Sequence, residues 1–222
     1  MESTGVYWQP IYHILEEHFQ IFLVNAQAVK RMPGRKTDMK DAEWLATLLQ
    51  HGLLQPSFIP PKEQRELRDL TRYRTSLMQE RARFTNRIQK VLEDVNIKLS
   101  SVATDLHGVT AQAILRSLVA GQEDPKNLAE LAKGTLRKKR AELERALVGR
   151  MTAHHRFLLS QLLAQVDFLD EQIAILEERM EALLDQSPSF TQAVERLDTI
   201  PGVNRPLATL IVSEIGVDMS RC

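Results

Sequence analysis

One periodic pattern constrains the fold of this chain more than any other feature. Between residues 159 and 183, apolar side chains recur at alternating intervals of three and four residues without a miss. That spacing is typical of the seam of a coiled coil and predicts a long helix that packs against another helix. The seam consists of Leu159, Leu162, Val166, Leu169, Ile173, Leu176, Met180 and Leu183.

A second long helix is predicted over residues 62–98. Its seven-residue repeat of apolar side chains consists of Leu70, Leu77, Phe84 and Val91. The companion heptad position holds Ile88 and Val95, but also Arg74 and Arg81, so the seam is partly polar. The sequence leaves open whether the helix at 159–183 pairs with this helix, with a second copy of the chain, or with both.

Composition favours a mostly helical protein. Aromatic residues make up 5% of the 222 residues, and Gly and Pro number 9 each, which disfavours an all-β protein. The single cysteine, Cys222, excludes an internal disulfide and a cysteine-based zinc site, and indicates a reducing, cytoplasmic location. The apolar runs are too short to span a bilayer and there is no signal-peptide pattern, so no contact with a membrane is expected.

The balanced net charge hides strong local differences. The chain has 29 basic and 29 acidic residues. Residues 61–98 carry 10 basic and 6 acidic side chains, residues 133–156 carry 8 and 2, and residues 157–198 carry 2 and 9. Because a binding field depends on local charge, the two basic stretches favour a polyanionic partner, although a single charge run is more often a solvated helix face.

The first sixty residues have the pattern of a small α/β unit. Apolar side chains in residues 9–19 have the spacing of one helix face. The segment 20–25 follows at once; it is short, apolar on both faces and rich in β-formers, which predicts a buried parallel strand after a crossover helix. A basic loop at 30–37 then leads into a helix that begins at Thr37 or Asp38.

Three carboxylates stand out in this unit. Asp38 and Asp41 are three residues apart at a helix start and share a face, and Glu2 precedes the turn into the first helix. Brought together at a sheet edge, such carboxylates bind hard divalent cations suited to phosphoryl transfer. The alternative is structural: Asp38 caps the helix and Asp41 is a first-turn acid, and spacing alone favours that alternative.

Residues 197–211 predict a helix, a tight turn at Pro201-Gly202 and a second helix. Amide groups of such a turn and the N-terminus of the second helix form a small anion site, as in helix-hairpin-helix elements that grip a DNA backbone. An ordinary connection between two packed helices fits the same pattern.

Three motifs together resemble one family. They are Glu2-Ser-Thr-Gly-Val-Tyr-Trp, Lys36-Thr-Asp-Met-Lys-Asp-Ala and Leu197-Asp-Thr-Ile-Pro-Gly-Val. In this order they resemble the insertion-sequence transposases with a RuvC-like DEDD domain, the bridge-RNA-guided DNA recombinases and invertases. The resemblance extends over essentially the whole chain and implies an RNase H-like catalytic domain, a helical coiled-coil region and a helix-hairpin-helix.

The resemblance also implies a site. Glu2, Asp38 and Asp41 match three of the family's four acids, which implies catalytic residues that bind Mg²⁺. Contacts with nucleic acid are expected from Arg35, Lys36, Lys40, Gly202, Asn204 and Arg205. The implied partners are DNA, a guide RNA and a second copy of the chain joined through the coiled coil.

The sequence departs from the family pattern at three points. The family's first Asp and its nucleophilic Ser have no counterpart here. The role of nucleophile is not assigned to Ser213 or Ser220. Asn204 replaces a glycine of the family's turn. A site short of one carboxylate is expected to bind metal weakly, so we expect a truncated copy that is inactive by itself.

The resulting prediction is a mostly α-helical chain with a partial α/β (RNase H-like) N-terminal lobe, long coiled-coil helices and a C-terminal helix-hairpin-helix. The predicted domains are residues 1–60, 61–186 and 187–222. The favoured function is DNA transposition by metal-dependent strand cleavage and rejoining. The alternatives are a non-catalytic coiled-coil module that binds nucleic acid, and a helical scaffold without a nucleic-acid role.

Overall fold

The computed structural model describes residues 1–3, 5–31 and 41–221, apart from the side chains of residues 31, 41 and 221. The chain divides into two compact units, Met1–Lys62 and Glu63–Cys222. No helix of the described residues is long and apolar enough to cross a membrane.

Three short helices make up the described part of the first unit, namely α1 (Trp8–Leu15), α2 (Ala26–Arg31) and α3 (Asp41–Gln50). A small core forms where Leu48 of α3 packs against Val24 and Val29. The end of α3 is well defined: Gly52 has a φ of +67°, and its N–H donates to the Leu49 carbonyl at 3.0 Å. Glycine adopts this left-handed conformation without a steric penalty, which is why it commonly ends a helix.

The predicted strand at residues 20–25 is wrong, and the partial α/β lobe is not seen. Within the described residues no strand forms; Val24 makes isolated bridges, parallel to Glu2 and antiparallel to Pro56. Met1 and Ser3 hydrogen-bond with Val24 on one side, each at 2.9 Å. On the other side Pro56 lacks an N–H, so a ladder cannot extend through it.

The helix predicted within residues 9–19 is confirmed as α1, but its apolar face is not covered in this unit. Ile11, Ile14 and Phe19 are exposed. Spacing alone therefore predicts the helix but does not say whether its apolar face is buried.

Seven helices build the second unit, in the described residues: α4 (Lys62–Asp94), α5 (Val109–Val119), α6 (Pro125–Glu130), α7 (Arg140–Ala146), α8 (Ala153–Gln186), α9 (Pro188–Asp198) and α10 (Arg205–Ile215). The long helices α4 and α8 are those that the two heptad patterns predict. They pair within one chain and run antiparallel, because residues near the start of α4 contact residues near the end of α8.

The seam between α4 and α8 is partly polar, as predicted. Its middle is a small apolar cluster of Leu77, Leu169 and Ile173. On either side of this cluster, Arg74 pairs with Glu177 and Arg81 with Asp170. Such ion pairs beside a small apolar seam fix the register of two helices.

The buried face of α8 differs slightly from the predicted seam. Leu162, Leu176 and Leu183 are only half-buried, while Leu163 and Leu184 are buried. The reason is that α8 has more than one partner. Its first turns belong to a core shared with α5, and its last turns to a core shared with α9 and α10.

The two ends of the α4/α8 pair carry different helical groups. At one end, α5, α6 and α7 close over the largest core of the unit. The basic stretch at 133–156 begins there with a 3-10 helix, Gly134–Lys139, followed directly by α7, which ends at Ala146. At the other end, α9 and α10 form the predicted helical hairpin, which packs on Leu67 of α4.

Candidate functional site

Backbone pairing fixes the segment that carries Glu2. The Val24 N–H donates to the Met1 carbonyl, and the Ser3 N–H donates to the Val24 carbonyl, both at 2.9 Å. The Met1 amino group also donates to the Phe22 carbonyl at 2.8 Å, and partial burial lowers the pKa of that amine. Glu2 is thus held beside Val24 with its side chain half-buried.

Asp41 is the first residue of α3. The helix is anchored four and seven residues further on by Leu45 and Leu48, which belong to the same small core as Val24. One residue, Val24, therefore positions both Glu2, through the backbone, and α3, through packing. The side chain of Asp41 is not among those described.

Four of the predicted site residues lie outside the described residues. They are the acid Asp38 and the basic residues Arg35, Lys36 and Lys40. Among the described residues, no group of three or more His, Cys, Asp or Glu side chains is arranged to hold a metal ion. The predicted trio of Glu2, Asp38 and Asp41 is not tested by that observation, because two of its three carboxylates are not described.

The turn of the helical hairpin has the conformation that its sequence demands. The Val203 N–H donates to the Ile200 carbonyl at 2.9 Å, and Gly202 has a φ of +88°. Pro201 followed by a left-handed glycine is the type II arrangement. Gly202 is exposed at the outside of this turn.

Asn204 caps α10. Its backbone is extended, with a φ of −98°, and its side-chain oxygen accepts from the Leu207 N–H at 3.1 Å. An extended backbone does not require glycine, so the asparagine is accommodated without strain. However, the cap occupies one amide of the first turn and Pro206 lacks another, so α10 offers an anion fewer donors than a typical helix N-terminus.

Arg205 is engaged by the acidic helix α8. Its Nε donates to Glu181 Oε1 at 2.8 Å and its Nη2 to Oε2 at 2.5 Å. This bidentate hydrogen bond lowers the pKa of Glu181 and raises that of Arg205. A phosphate would have to compete with Glu181 for this guanidinium.

The other end of α10 is held by α4, which the sequence did not predict. Arg72 forms a bidentate pair with Glu214, at 2.8 and 2.9 Å. The hydrogen bond to Arg72 lowers the pKa of Glu214. Arg68 donates to the Ser213 and Glu214 carbonyls, and Ser213 is fully buried, which fits a structural role.

Comparison with known protein families finds a match for the N-terminal part of the chain. Residues 1–97 match the DEDD family of IS110, which is described as a transposase. Residues 1–97 are therefore similar to an IS110-family DEDD transposase domain. No curated protein and no solved structure is significantly similar to the chain.

The match to the DEDD transposase family covers less than half of the chain. It includes Glu2, Asp38 and Asp41 and extends just past the end of α4. The match implies DNA transposition, and hence DNA binding, in a family that is typically metal-dependent. The expected likeness over residues 197–211 lies outside the matched range, and so do the hairpin residues Gly202, Asn204 and Arg205.

Proposed function

We propose that the transposase domain binds a divalent cation through Glu2, Asp38 and Asp41 and acts on DNA by metal-dependent strand cleavage and rejoining. The family match over residues 1–97 carries this proposal. The anchoring of Glu2 and α3 on Val24 supports it, because two segments fixed at one residue need little reorganisation for their carboxylates to share a cation.

The donor chemistry suits the proposed cation. Carboxylate oxygens are the ligands that Mg²⁺ prefers, and Mg²⁺ retains water when a protein supplies few of them. Held by Glu2, Asp38 and Asp41, such a cation would supply the positive charge that a phosphoryl transfer requires. The basic residues Arg35, Lys36 and Lys40 would then hold the neighbouring phosphates of the strand.

A titration with Mn²⁺ as the probe tests the proposal. Asp38→Asn and Asp41→Asn remove one charge each with little change in shape, and we expect each to weaken Mn²⁺ binding by about ten-fold or more. Glu43→Gln is the matched control, because Glu43 is an exposed acid on the same helix as Asp41. Calorimetry of the full chain measures the affinities.

The same variants separate the proposal from its alternatives. If Asp38→Asn and Asp41→Asn bind Mn²⁺ as tightly as the parent, the two acids are helix caps and the proposed function fails. If the chain binds DNA equally well with and without them, and without any cation, the non-catalytic nucleic-acid-binding module is the better description.

A role in DNA binding for Gly202, Asn204 and Arg205 is also proposed. Arg205 would exchange Glu181 for a phosphate, so Glu181→Gln should strengthen DNA binding and Arg205→Gln should weaken it. Equal effects of both variants would contradict this exchange.

A second copy of the chain and a guide RNA are the remaining proposed partners. Since the α8 seam already pairs with α4, a second copy would use another face of the helix. The exposed Phe168 and Ile175 offer apolar surface for it. Light scattering of the full chain would report the oligomeric state.

A further inference from the structure

The connection between α6 and α8 carries a concentrated positive charge. Residues 133–150 contain two acidic side chains, Glu142 and Glu144. The basic side chains of the segment are all exposed, and we refer to them as the tip patch: Lys133, Arg137, Lys138, Lys139, Arg140, Arg145 and Arg150.

The tip patch differs from the paired arginines of its unit, because its cations are clustered in one segment without carboxylate partners among the described residues. Within the described part of the chain, no member of the patch forms an ion pair. Elsewhere in the unit carboxylates occupy Arg68, Arg72, Arg74, Arg81, Arg116, Arg156 and Arg205. Exposed cations without carboxylate partners keep their full field for an external anion.

The segment that carries the patch is fixed to the core. Leu143 is completely buried in the largest core of the unit. The Lys133 N–H donates to the buried Thr110 hydroxyl at 2.9 Å, and the Arg150 N–H donates to the Val95 carbonyl at 3.1 Å. A patch held at both ends and in the middle presents its charges with little loss of backbone entropy on binding.

The tip patch is distinct from the helical hairpin. The hairpin packs on Leu67, near the start of α4, whereas the patch lies at the end of the pair where α4 stops at Asp94. With a rise of 1.5 Å per residue, the two ends are about 40 Å apart. A ligand of the patch therefore binds outside the predicted hairpin site and outside the family-matched residues.

The chemistry of the patch points to phosphate groups rather than to bases. Residues 133–150 contain no aromatic side chain, and single strands are usually gripped by aromatic stacking. Lysine and arginine alone contact the regularly spaced phosphates of a duplex. We propose that the tip patch binds the phosphate backbone of duplex DNA without reading its sequence; the choice of DNA over RNA rests on the proposed transposase function.

A triple variant, Arg137→Gln, Lys138→Gln and Lys139→Gln, tests the patch in the full chain. The probe is a duplex DNA of arbitrary sequence, titrated at several salt concentrations. At about 0.1 M salt we expect at least a ten-fold loss of affinity, and the slope of log affinity against log salt should fall by about 2–3. The matched control, Arg83→Gln, Lys90→Gln and Arg179→Gln, removes the same charge from exposed positions elsewhere.

Equal losses in the triple variant and the control would overturn the proposal, since net charge alone would then explain binding. Absence of duplex binding by the parent would also overturn it. A duplex RNA of the same sequence is the second arm: a preference for RNA that the triple variant abolishes would refute DNA as the ligand. Failure of the proposed metal site has a separate readout, because it is judged by the Mn²⁺ affinity of the Asp38→Asn variant, whereas the patch is judged by the duplex affinity of the triple variant alone.

Discussion

Gly149 allows two backbone segments to approach closely at the largest core. A Cβ atom at this position would stand 2.4 Å from the Val95 carbonyl oxygen and 2.5 Å from Ile97 Cγ1. The Arg150 N–H donates to the same carbonyl, so the backbone there cannot easily retreat. Glycine is required here by the close approach of two backbone segments rather than by its own φ.

We therefore expect Gly149→Ala to lower the free energy of unfolding by about 2–3 kcal/mol. Gly134→Ala is the control: Gly134 has a φ of +57° but open space around it, so only backbone strain of about 1 kcal/mol applies. Urea denaturation of the second unit's helical signal measures both. A Gly149 variant as stable as the parent would mean that the two segments separate freely.

The structural roles of single residues differ in how well the sequence predicts them. The position of Arg74 and Arg81 in a heptad predicts a partly polar seam, which is confirmed. Neither the steric role of Gly149 nor the pairing of Arg205 with Glu181 has a local signal, because each depends on a contact between segments distant in sequence. The roles of Glu2, Asp38 and Asp41 stay predictions.

Helix α8 offers a direct test of the seam at the scale of elements. Ile173 is 5% exposed and packs against Leu77 and Leu169, whereas Ile175, two residues on, is 52% exposed. We expect Ile173→Ala to cost about 2–4 kcal/mol and Ile175→Ala less than about 0.5 kcal/mol. Chemical denaturation of both variants measures these losses of unfolding free energy. Similar losses in the two variants would contradict the assignment of the buried face.

The attachment of α10 is expected to depend on pH. The pKa values of Glu181 and Glu214 are lowered by their arginine partners. Carboxylates with lowered pKa values stabilise the folded state above their ordinary pKa of 4.5 and lose this contribution as the pH falls through the lowered value. Because both pairs are largely exposed, the effect is small, at about 0.2–1 kcal/mol for each.

Amide hydrogen exchange of α10 between about pH 5 and pH 3 measures this effect. After correction for the intrinsic rate, protection should fall as the solution becomes more acidic. The double variant Glu181→Gln and Glu214→Gln should show less protection at pH 5 and no further fall in this range. A parent with constant protection would show that the ion pairs do not hold α10.

Elements with long periodic patterns are the ones that the sequence predicts well. The heptads of α4 and α8 extend over many turns and are both confirmed as helices. The short run at 20–25 is apolar enough for a strand, but a strand exists only where neighbours can pair with it. Among the described residues the bridges with Glu2 and Pro56 form at Val24 only, so the predicted strand is not formed.

At the scale of the whole molecule, the zero net charge is the sum of segments with opposite local charge. The acidic side chains of α8 neutralise basic residues of α4, α5 and α10. The tip patch has no such partner among the described residues, so its charge remains available. The local charge counts predict a basic stretch at 133–156, but only the structure distinguishes its free cations from Arg156, which pairs with Glu123.

The family match and the structure divide the chain similarly but not identically. The compact first unit ends at Lys62, whereas the match to the transposase family continues to residue 97. The matched region therefore takes in the first unit and all of α4, the helix that carries the second unit's seam. The division into domains at 1–60, 61–186 and 187–222 stays a prediction.

We expect a divalent cation to bind at Glu2 and the start of α3 rather than at the acidic helix α8. Amide NMR spectra of the full chain recorded with sub-stoichiometric Mn²⁺ test it directly, because the ion broadens signals only in its vicinity. The proposed site predicts selective broadening at Glu2, Ser3 and Asp41, abolished by Asp38→Asn. Broadening centred instead on the acids of α8, such as Glu171, Glu178 and Asp185, would contradict it.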